Sequence, residues 1–271
     1  MPLTRRAVLK TFAATAAGAV GGAGAYGFFD ERHNLVVHRA DVSVSGLPRS
    51  LAGLRIGFIT DVHCSRWVSP EDVHNAALRL NAERPDLILL GGDYVTWGDR
   101  QFVRPSADAL SSLSAPHGVF GILGNHDDDR DMPAALAAHG IGMLRDARTR
   151  LIINNETVDL VGIRFWTKRQ ADIAPLVHSA SGTVILLAHD PRRLTEAASL
   201  RVPLVLSGHT HGGQVVLPVV GPVAARKFPV VAGIGRRDRT TMFVSRGVGT
   251  VYAPIRINCP PEVAVLTLSS V

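Results

Sequence analysis

Eight residues able to hold a metal ion or move a proton stand at the ends of short apolar runs. Asp61 and His63 follow Leu54–Thr60, Asp93 follows Leu87–Leu90, and Asn125 and His126 follow Val119–Leu123. His189 follows Val184–Ala188, while His209 and His211 follow Val202–Leu206. A mixed set of carboxylate, amide and imidazole suits Mn, Fe or Zn, whereas Ca and Mg prefer shells of oxygen alone. Seven candidate ligands (Asp61, His63, Asp93, Asn125, His189, His209 and His211) exceed one tetrahedral ion. Two divalent ions sharing one carboxylate accommodate them at the separation of about 3.5–4 Å used by two-metal hydrolases. An isolated histidine is more often a surface or satisfied core residue, and His33, His38, His74, His117, His139 and His178 are read that way.

Something must bring these residues together. Continuous apolar runs of this length suit strands buried on both faces. Between the first two runs Ser69 can cap a helix, Pro70 fits its first turn, and Asp72 completes a weak capping box. Val73, Ala76, Ala77 and Leu80 then share one face, and Pro85 stops the helix. Strand, helix and strand in that order imply a right-handed parallel crossover, which places Asp61 and Asp93 at the same carboxyl edge of a sheet. Shorter helical patterns cover Pro105–Leu113 and Pro133–His139. Leu35–Val44 reads as an edge strand, Pro218–Arg239 as a long irregular excursion, and Met242–Ser245 and Val263–Leu268 as closing strands. The expected architecture is α/β: a core sheet or pair of sheets flanked by helices, with function at one rim.

With 271 residues, 46% of them hydrophobic and 19% charged, the chain is a folded protein, expected to form a single domain over residues 31–271. The net charge of +6 favours an anionic substrate or an acidic lipid surface. Lys and Arg are scattered without interleaved aromatics, so no nucleic-acid partner is expected. Residues 1–30 resemble a twin-arginine export signal: Thr4-Arg5-Arg6-Ala7-Val8-Leu9-Lys10 precedes an uncharged Ala/Gly-rich run, with Val8 where such signals usually carry Phe. That implies the twin-arginine export machinery as a partner and a place in the periplasm, the cell wall or the outer face of the cytoplasmic membrane. Cleavage after Ala23-Gly24-Ala25 and retention as an anchor both fit. The G-x-G-x-x-G pattern at Gly22–Gly27 follows no strand and is set aside. Cys64 and Cys259 are too few to build the fold; one bridge between them stays open, and Cys64 reads as a buried filler.

The ordered blocks Asp61-Val62-His63, Gly92-Asp93, Gly124-Asn125-His126-Asp127, His189 and Gly208-His209-Thr210-His211 resemble the signature of the calcineurin-like metallophosphoesterases. The Gly212-Gly213-Gln214 extension and the Arg256–Glu262 segment are similar to the branch of small exported or membrane-associated phosphodiesterases, and the likeness covers about residues 35–270. It implies a four-layer β-sandwich of mixed sheets flanked by helices, with a dinuclear metal site at the strand carboxyl ends. Asp61, His63 and His211 would hold one ion, Asn125, His189 and His209 the other, and Asp93 would bridge. His126 would stand beside the ions and protonate the leaving oxygen.

The activity so implied is hydrolysis of a phosphodiester or pyrophosphate on a phosphorylated small-molecule or lipid-linked envelope substrate. A phosphomonoesterase and a non-catalytic metal-binding protein are the alternatives. Arg246 and Arg256 lie in segments the family folds toward its site and are candidate phosphate contacts. Asp127 either orients His126 or a water or shapes a turn, and Trp67, Trp97 and Trp166 either line a groove or pack. No H-E-x-x-H helix or G-x-S-x-G elbow competes with this reading.

Overall fold

Residues 5–270 are described by a computed structural model. In chain order the helices are α1 (Arg5–Phe29), α2 (Pro70–Ala82), α3 (Val103–Leu110), α4 (Asp131–Ala137), α5 (Gln170–His178) and α6 (Leu194–Ser199). The strands are β1 (Val36–Val44), β2 (Arg55–Ile59), β3 (Leu87–Leu90), β4 (Val119–Gly121), β5 (Gly142–Met143), β6 (Ala147–Ile153) and β7 (Glu156–Gly162). They continue as β8 (Thr183–Leu187), β9 (Leu204–Ser207), β10 (Val216–Leu217), β11 (Gly221–Pro222), β12 (Gly233–Arg237), β13 (Thr240–Val244) and β14 (Glu262–Ser270).

Two six-stranded mixed sheets form, in the orders β1-β14-β2-β3-β4-β5 and β12-β13-β9-β8-β7-β6. In the first, β2, β3, β4 and β5 are parallel neighbours, and β14 runs antiparallel to β2 but parallel to β1. In the second, β7, β8, β9 and β13 are parallel, with β6 and β12 as antiparallel edges.

The side-chain alternation of each strand explains the layering. Ile56, Phe58, Leu87 and Leu89 point between the sheets, where they meet Leu160, Ile185, Leu187, Leu204, Leu206 and Phe243. Ile59, Ile88 and Leu90 point the other way, against Val73, Ala76, Ala77 and Leu80 of α2 and Leu110 of α3. The second sheet does the same, placing Leu186, Val205 and Met242 against Ile173 of α5 and Ala197 of α6. Both faces of the central strands are therefore dry, which is why their sequences show unbroken apolar runs instead of alternation. The result is the helix–sheet–sheet–helix sandwich that the resemblance implied.

The α2 cap forms as read: Ser69 Oγ accepts from the Asp72 N–H at 3.1 Å, and Asp72 Oδ2 accepts from the Ser69 N–H at 2.9 Å. Two shorter helices start earlier than expected. Pro105 and Pro133 each sit inside the first turn, two residues after Val103 and Asp131, where a missing N–H costs nothing. The expected irregular excursion over Pro218–Arg239 contains strands β11 and β12. β12 carries the small, weakly apolar sequence Gly-Ile-Gly-Arg-Arg, so its order comes from backbone pairing with β13 and left no periodic signal. Thr4 of the twin-arginine motif lies outside the described residues. Among the described residues, no helix is long and apolar enough to cross a membrane.

Candidate metal centre

All the strand-end residues meet at one rim. Asp61 and His63 leave β2, Asp93 leaves β3, Asn125 and His126 leave β4, His189 leaves β8, and His209 and His211 leave β9. Two groups form, buried except for the half-buried His209: Asp61, His63 and His211 in one, and Asp93, His189 and His209 in the other, with candidate ligand atoms in each within 4.8 Å of one another. Asp93 Oδ2 stands between them, 3.5 Å from His63 Nε2 and 3.1 Å from His189 Nε2. Asp61 Oδ1 is 3.3 Å from His211 Nε2.

The chain reaches this geometry through unusual backbone. Asp61, His63, Asp93, His209 and His211 all have positive φ, between 49° and 73°. Side-chain-bearing residues visit this region rarely and at a cost of about 1–3 kcal/mol each, so such strain persists only where the surroundings impose it. Asp127 is one source of that constraint. Its carboxylate, four residues beyond the β4 run, accepts backbone N–H groups from Asp93 at 2.8 Å, Tyr94 at 2.6 Å and Gly124 at 2.8 Å. Of the roles open to Asp127, the structural one is what the contacts show. Close approach also demands small residues: a Cβ on Gly124 would lie 2.1 Å from Asp93 Oδ1, and one on Gly208 would lie 2.1 Å from Asp61 Oδ2.

Buried polar atoms normally find hydrogen-bond partners. Here Asn125 Oδ1, His63 Nε2, His189 Nε2 and His211 Nδ1 have none. Four orphaned donor atoms beside two carboxylates are what a site built for cations looks like before the cation is counted, so the residues fit divalent metal. The opposite ring nitrogens are tied off: His189 Nδ1 bonds Gly91 O at 2.7 Å, and His63 Nδ1 bonds Thr96 Oγ1 at 3.1 Å. Such ties fix which nitrogen faces inward.

The electrostatics agree. Burial pushes His63 down to about 3 and His209 to about 4, and it holds His211 well below its ordinary value, so these rings are neutral with lone pairs free. Burial also works to lower His189, but the Asp93 and Asp61 carboxylates outweigh it and raise it to about 10. Burial pushes Asp61 up to about 6. Asp93 is held well below the carboxylate range, burial being overcome by His189 and His63.

His126 is built differently. Its Nδ1 accepts the Trp97 backbone N–H at 3.2 Å, and its ring packs against the Trp97 indole with centroids 4.3 Å apart and planes inclined by 57°. A neutral ring whose Nδ1 is an acceptor carries its proton on Nε2.

A family model for calcineurin-like phosphoesterases matches residues 54–213. The chain belongs to the calcineurin-like phosphoesterase family. It is 34% identical to phosphodiesterase YaeI of Escherichia coli over 80% of this chain and 83% of that one. It is 31% identical to the uncharacterized metallophosphoesterase YkuE of Bacillus subtilis over 99% of this chain and 98% of that one. Among solved structures, the Haemophilus influenzae NAD nucleotidase aligns with a TM-score of 0.51 at 13% identity, covering 72% of this chain and 45% of that one. TT1561 of Thermus thermophilus aligns at 0.50 and 10% identity, covering 72% and 89%. Both likenesses are of fold. As a member of the family, the protein is a metal-dependent phosphoester hydrolase.

Two sequence expectations need correction. Arg256 is no phosphate contact: it is fully buried, and its guanidinium donates to the carbonyls of Cys259, Arg246, Gly247 and Gly249 at 2.6–3.1 Å. Arg246 is committed to Glu262, with Nε donating to Oε2 at 2.6 Å. Cys64 and Cys259 are both free and buried, so no bridge joins them.

Burial works to raise Glu262, but hydrogen bonding with His38 and the Arg246 charge hold its carboxyl below the usual range. Stability from that depressed value is complete above the unfolded value of about 4.3 and is lost as pH falls through the folded one. Glu262→Gln should cost about 2–3 kcal/mol at pH 7. In urea titrations its deficit should shrink below about pH 4.3; a deficit constant down to about pH 3 would show that the charge is not what matters.

Of the tryptophans, Trp97 lies against the site, while Trp67 packs by Phe28 with ring centroids 5.9 Å apart and Trp166 by Phe165 at 4.8 Å. Sequence reading missed Thr96, Phe228 and Tyr252. Thr96 stands three residues past Asp93, a spacing that could have flagged it, whereas Phe228 and Tyr252 lie in irregular segments without pattern.

Proposed function

We propose that this enzyme is an exported phosphodiesterase or pyrophosphatase acting on an envelope- or lipid-linked phosphorylated substrate. Asp61, His63 and His211 would hold one divalent ion, Asn125, His189 and His209 the other, and Asp93 would serve both, with Mn, Fe or Zn suiting the donors. The observation that carries this reading is the opposite setting of two imidazoles. His189 is tied at Nδ1 and turns Nε2 toward Asp93, while His126 accepts at Nδ1 and keeps a proton at Nε2. One is prepared as a ligand and the other as an acid.

When bound, two such ions supply the positive charge that polarises a phosphoryl group and acidifies water. The chain's own residues do the rest. His126 Nε2–H donates to the departing oxygen. Trp97 holds that ring in place by its backbone N–H and its tilted, packed indole. Support for a substrate with groups on both sides of phosphorus comes from the groove, of about 540 Å³, that opens from Asp93, Asn125 and His126. Val223, Phe228, Val251 and Tyr252 line it, along with Arg226 and Lys227, so it offers apolar surface for a second ester group and cations for a phosphate. The phosphodiesterase name of the YaeI relative points the same way. Arg5-Arg6 supports export, and recovery of the wild-type chain in the cytoplasmic fraction of its host would end that part of the reading.

His126→Ala should leave two metals per chain while turnover of a bis-aryl phosphodiester falls by about 10²-fold or more. Unchanged turnover removes the assigned acid. Greater turnover of an aryl monophosphate than of the diester would favour the phosphomonoesterase alternative.

A further inference from the structure

The β10–β11 hairpin, Val216–Leu217 and Gly221–Pro222 joined by a three-residue turn, exposes apolar surface that its fold does not need. Val219 is fully exposed, Val220 and Val223 are 57% and 55% exposed, and Leu217 is 40% exposed. Val219 also has φ +67°, a region where a β-branched residue is disfavoured and Gly or Asn would serve a turn better. Turn chemistry therefore does not account for valine at the tip. Neighbouring exposed apolar residues on a folded chain mark a surface that meets something.

The charge around the hairpin says what. From residue 197 to residue 237 there is no Asp or Glu, while Arg201, Arg226, Lys227, Arg236 and Arg237 fall within that stretch. Arg226 folds against the hairpin, donating from Nε to Pro222 O at 2.6 Å and from Nη2 to Val220 O at 3.2 Å. Exposed Lys227 follows it. An apolar tip with cations at its base matches an anionic bilayer, with acyl chains below and phosphates at the surface.

The placement is also informative. Val216 N–H bonds Ile257 O at 2.8 Å, and the adjacent Arg256 N–H bonds Gly27 O of α1 at 3.1 Å, so the hairpin's base adjoins the end of that helix. Phe12 and Val20 of α1 are each 74% exposed, which gives a second apolar element attached beside the first. On its other side the hairpin runs straight into Val223–Phe228, which lines the groove together with Asp93 and His126.

We propose that the β10–β11 hairpin is a membrane-docking element: Val219, Val220 and Leu217 enter the interfacial apolar layer of an anionic bilayer, Arg226 and Lys227 meet lipid phosphates, and the groove mouth is held at the lipid surface. Binding of this kind needs no turnover, so it stands or falls apart from the hydrolase reading.

The test uses the full chain and vesicles of phosphatidylglycerol with phosphatidylethanolamine, against vesicles of phosphatidylcholine. Wild-type protein should sediment with the anionic vesicles at least about tenfold more strongly than with the neutral ones, and salt at about 0.5 M should erase most of that preference. The double variant Val219→Asp, Val220→Asp should bind anionic vesicles at least about tenfold more weakly, with unchanged melting and unchanged turnover of a soluble aryl phosphodiester. In Val219→Trp, the fluorescence gained over wild type should shift to the blue on adding anionic vesicles. Equal vesicle binding by the double variant overturns the proposal, because α1 alone would then carry attachment. An indole signal at that position that does not move on vesicles that bind the protein overturns it too. So does conversion of a dimer to a monomer by the double variant with vesicle binding intact, which would mean that a second copy covers the hairpin.

Discussion

Asp93→Asn is expected to lower phosphodiester turnover by about 10³-fold or more and to reduce bound metal below two per chain. Asp93 stands between His63 and His189, and its other oxygen accepts the His126 N–H at 2.8 Å. One carboxylate thus meets both candidate metal groups and the segment carrying the candidate acid. Asn keeps the shape, so the backbone bonds to Asp127 that hold the loop survive, but the charge facing two cations is gone. A loss of about 4 kcal/mol in transition-state stabilisation corresponds to that thousandfold drop. Elemental analysis and steady-state kinetics on the same preparation check it. An Asn variant that keeps two metals and most of its turnover would show that the shared position belongs to another residue.

Arg256→Met is expected to destabilise the protein by about 3–5 kcal/mol, the range for removing one partner from a buried charged network. Met retains an unbranched apolar stem, so the loss is chiefly the guanidinium and its bonds to four carbonyls. Three of those carbonyls belong to the segment 246–249 that folds over Asp61: the Val248 N–H bonds Thr60 O at 3.2 Å, and the Gly249 N–H bonds Asp61 O at 2.7 Å. For a domain of this size each kcal/mol moves the melting temperature by about 2–4 °C, so a fall of roughly 10 °C is expected in thermal melts. A fall of about 2 °C or less would mean that solvent replaces the guanidinium without penalty. Activity at low temperature should suffer less than stability, since the Arg256 guanidinium donates to backbone carbonyls and not to a candidate ligand side chain.

The contrast between Asp93 and Arg256 shows where the sequence was legible. A ligand-type residue after a buried apolar run is conspicuous because strand ends are rigid platforms, and the five runs were read as strands from composition alone. The β2-α2-β3 crossover followed from a capped helix between two of them. Arg256 was misjudged as a phosphate contact because nothing local announces that four carbonyls will surround it. The left-handed backbone at Asp61, His63, Asp93, His209 and His211 was equally silent, since Asp and His do not advertise positive φ as Gly does. Thr96 and Trp97, which steady His63 and His126, owe their roles to a loop path set by contacts with residues distant in sequence, among them Asp127 and His126.

The order of the first sheet has a bearing on how the protein is made. The final strand, β14, lies between β1 and β2 and pairs with both. While the chain is still emerging from the ribosome, β1 has no neighbour and β2 shows an open edge, so the half of the molecule that supplies Asp61, Asp93 and His126 cannot close until residues 262–270 arrive. The rim is therefore assembled only after residues 262–270 have been made, and a nascent chain that still lacks them holds an unfinished sheet for chaperones or proteases to find.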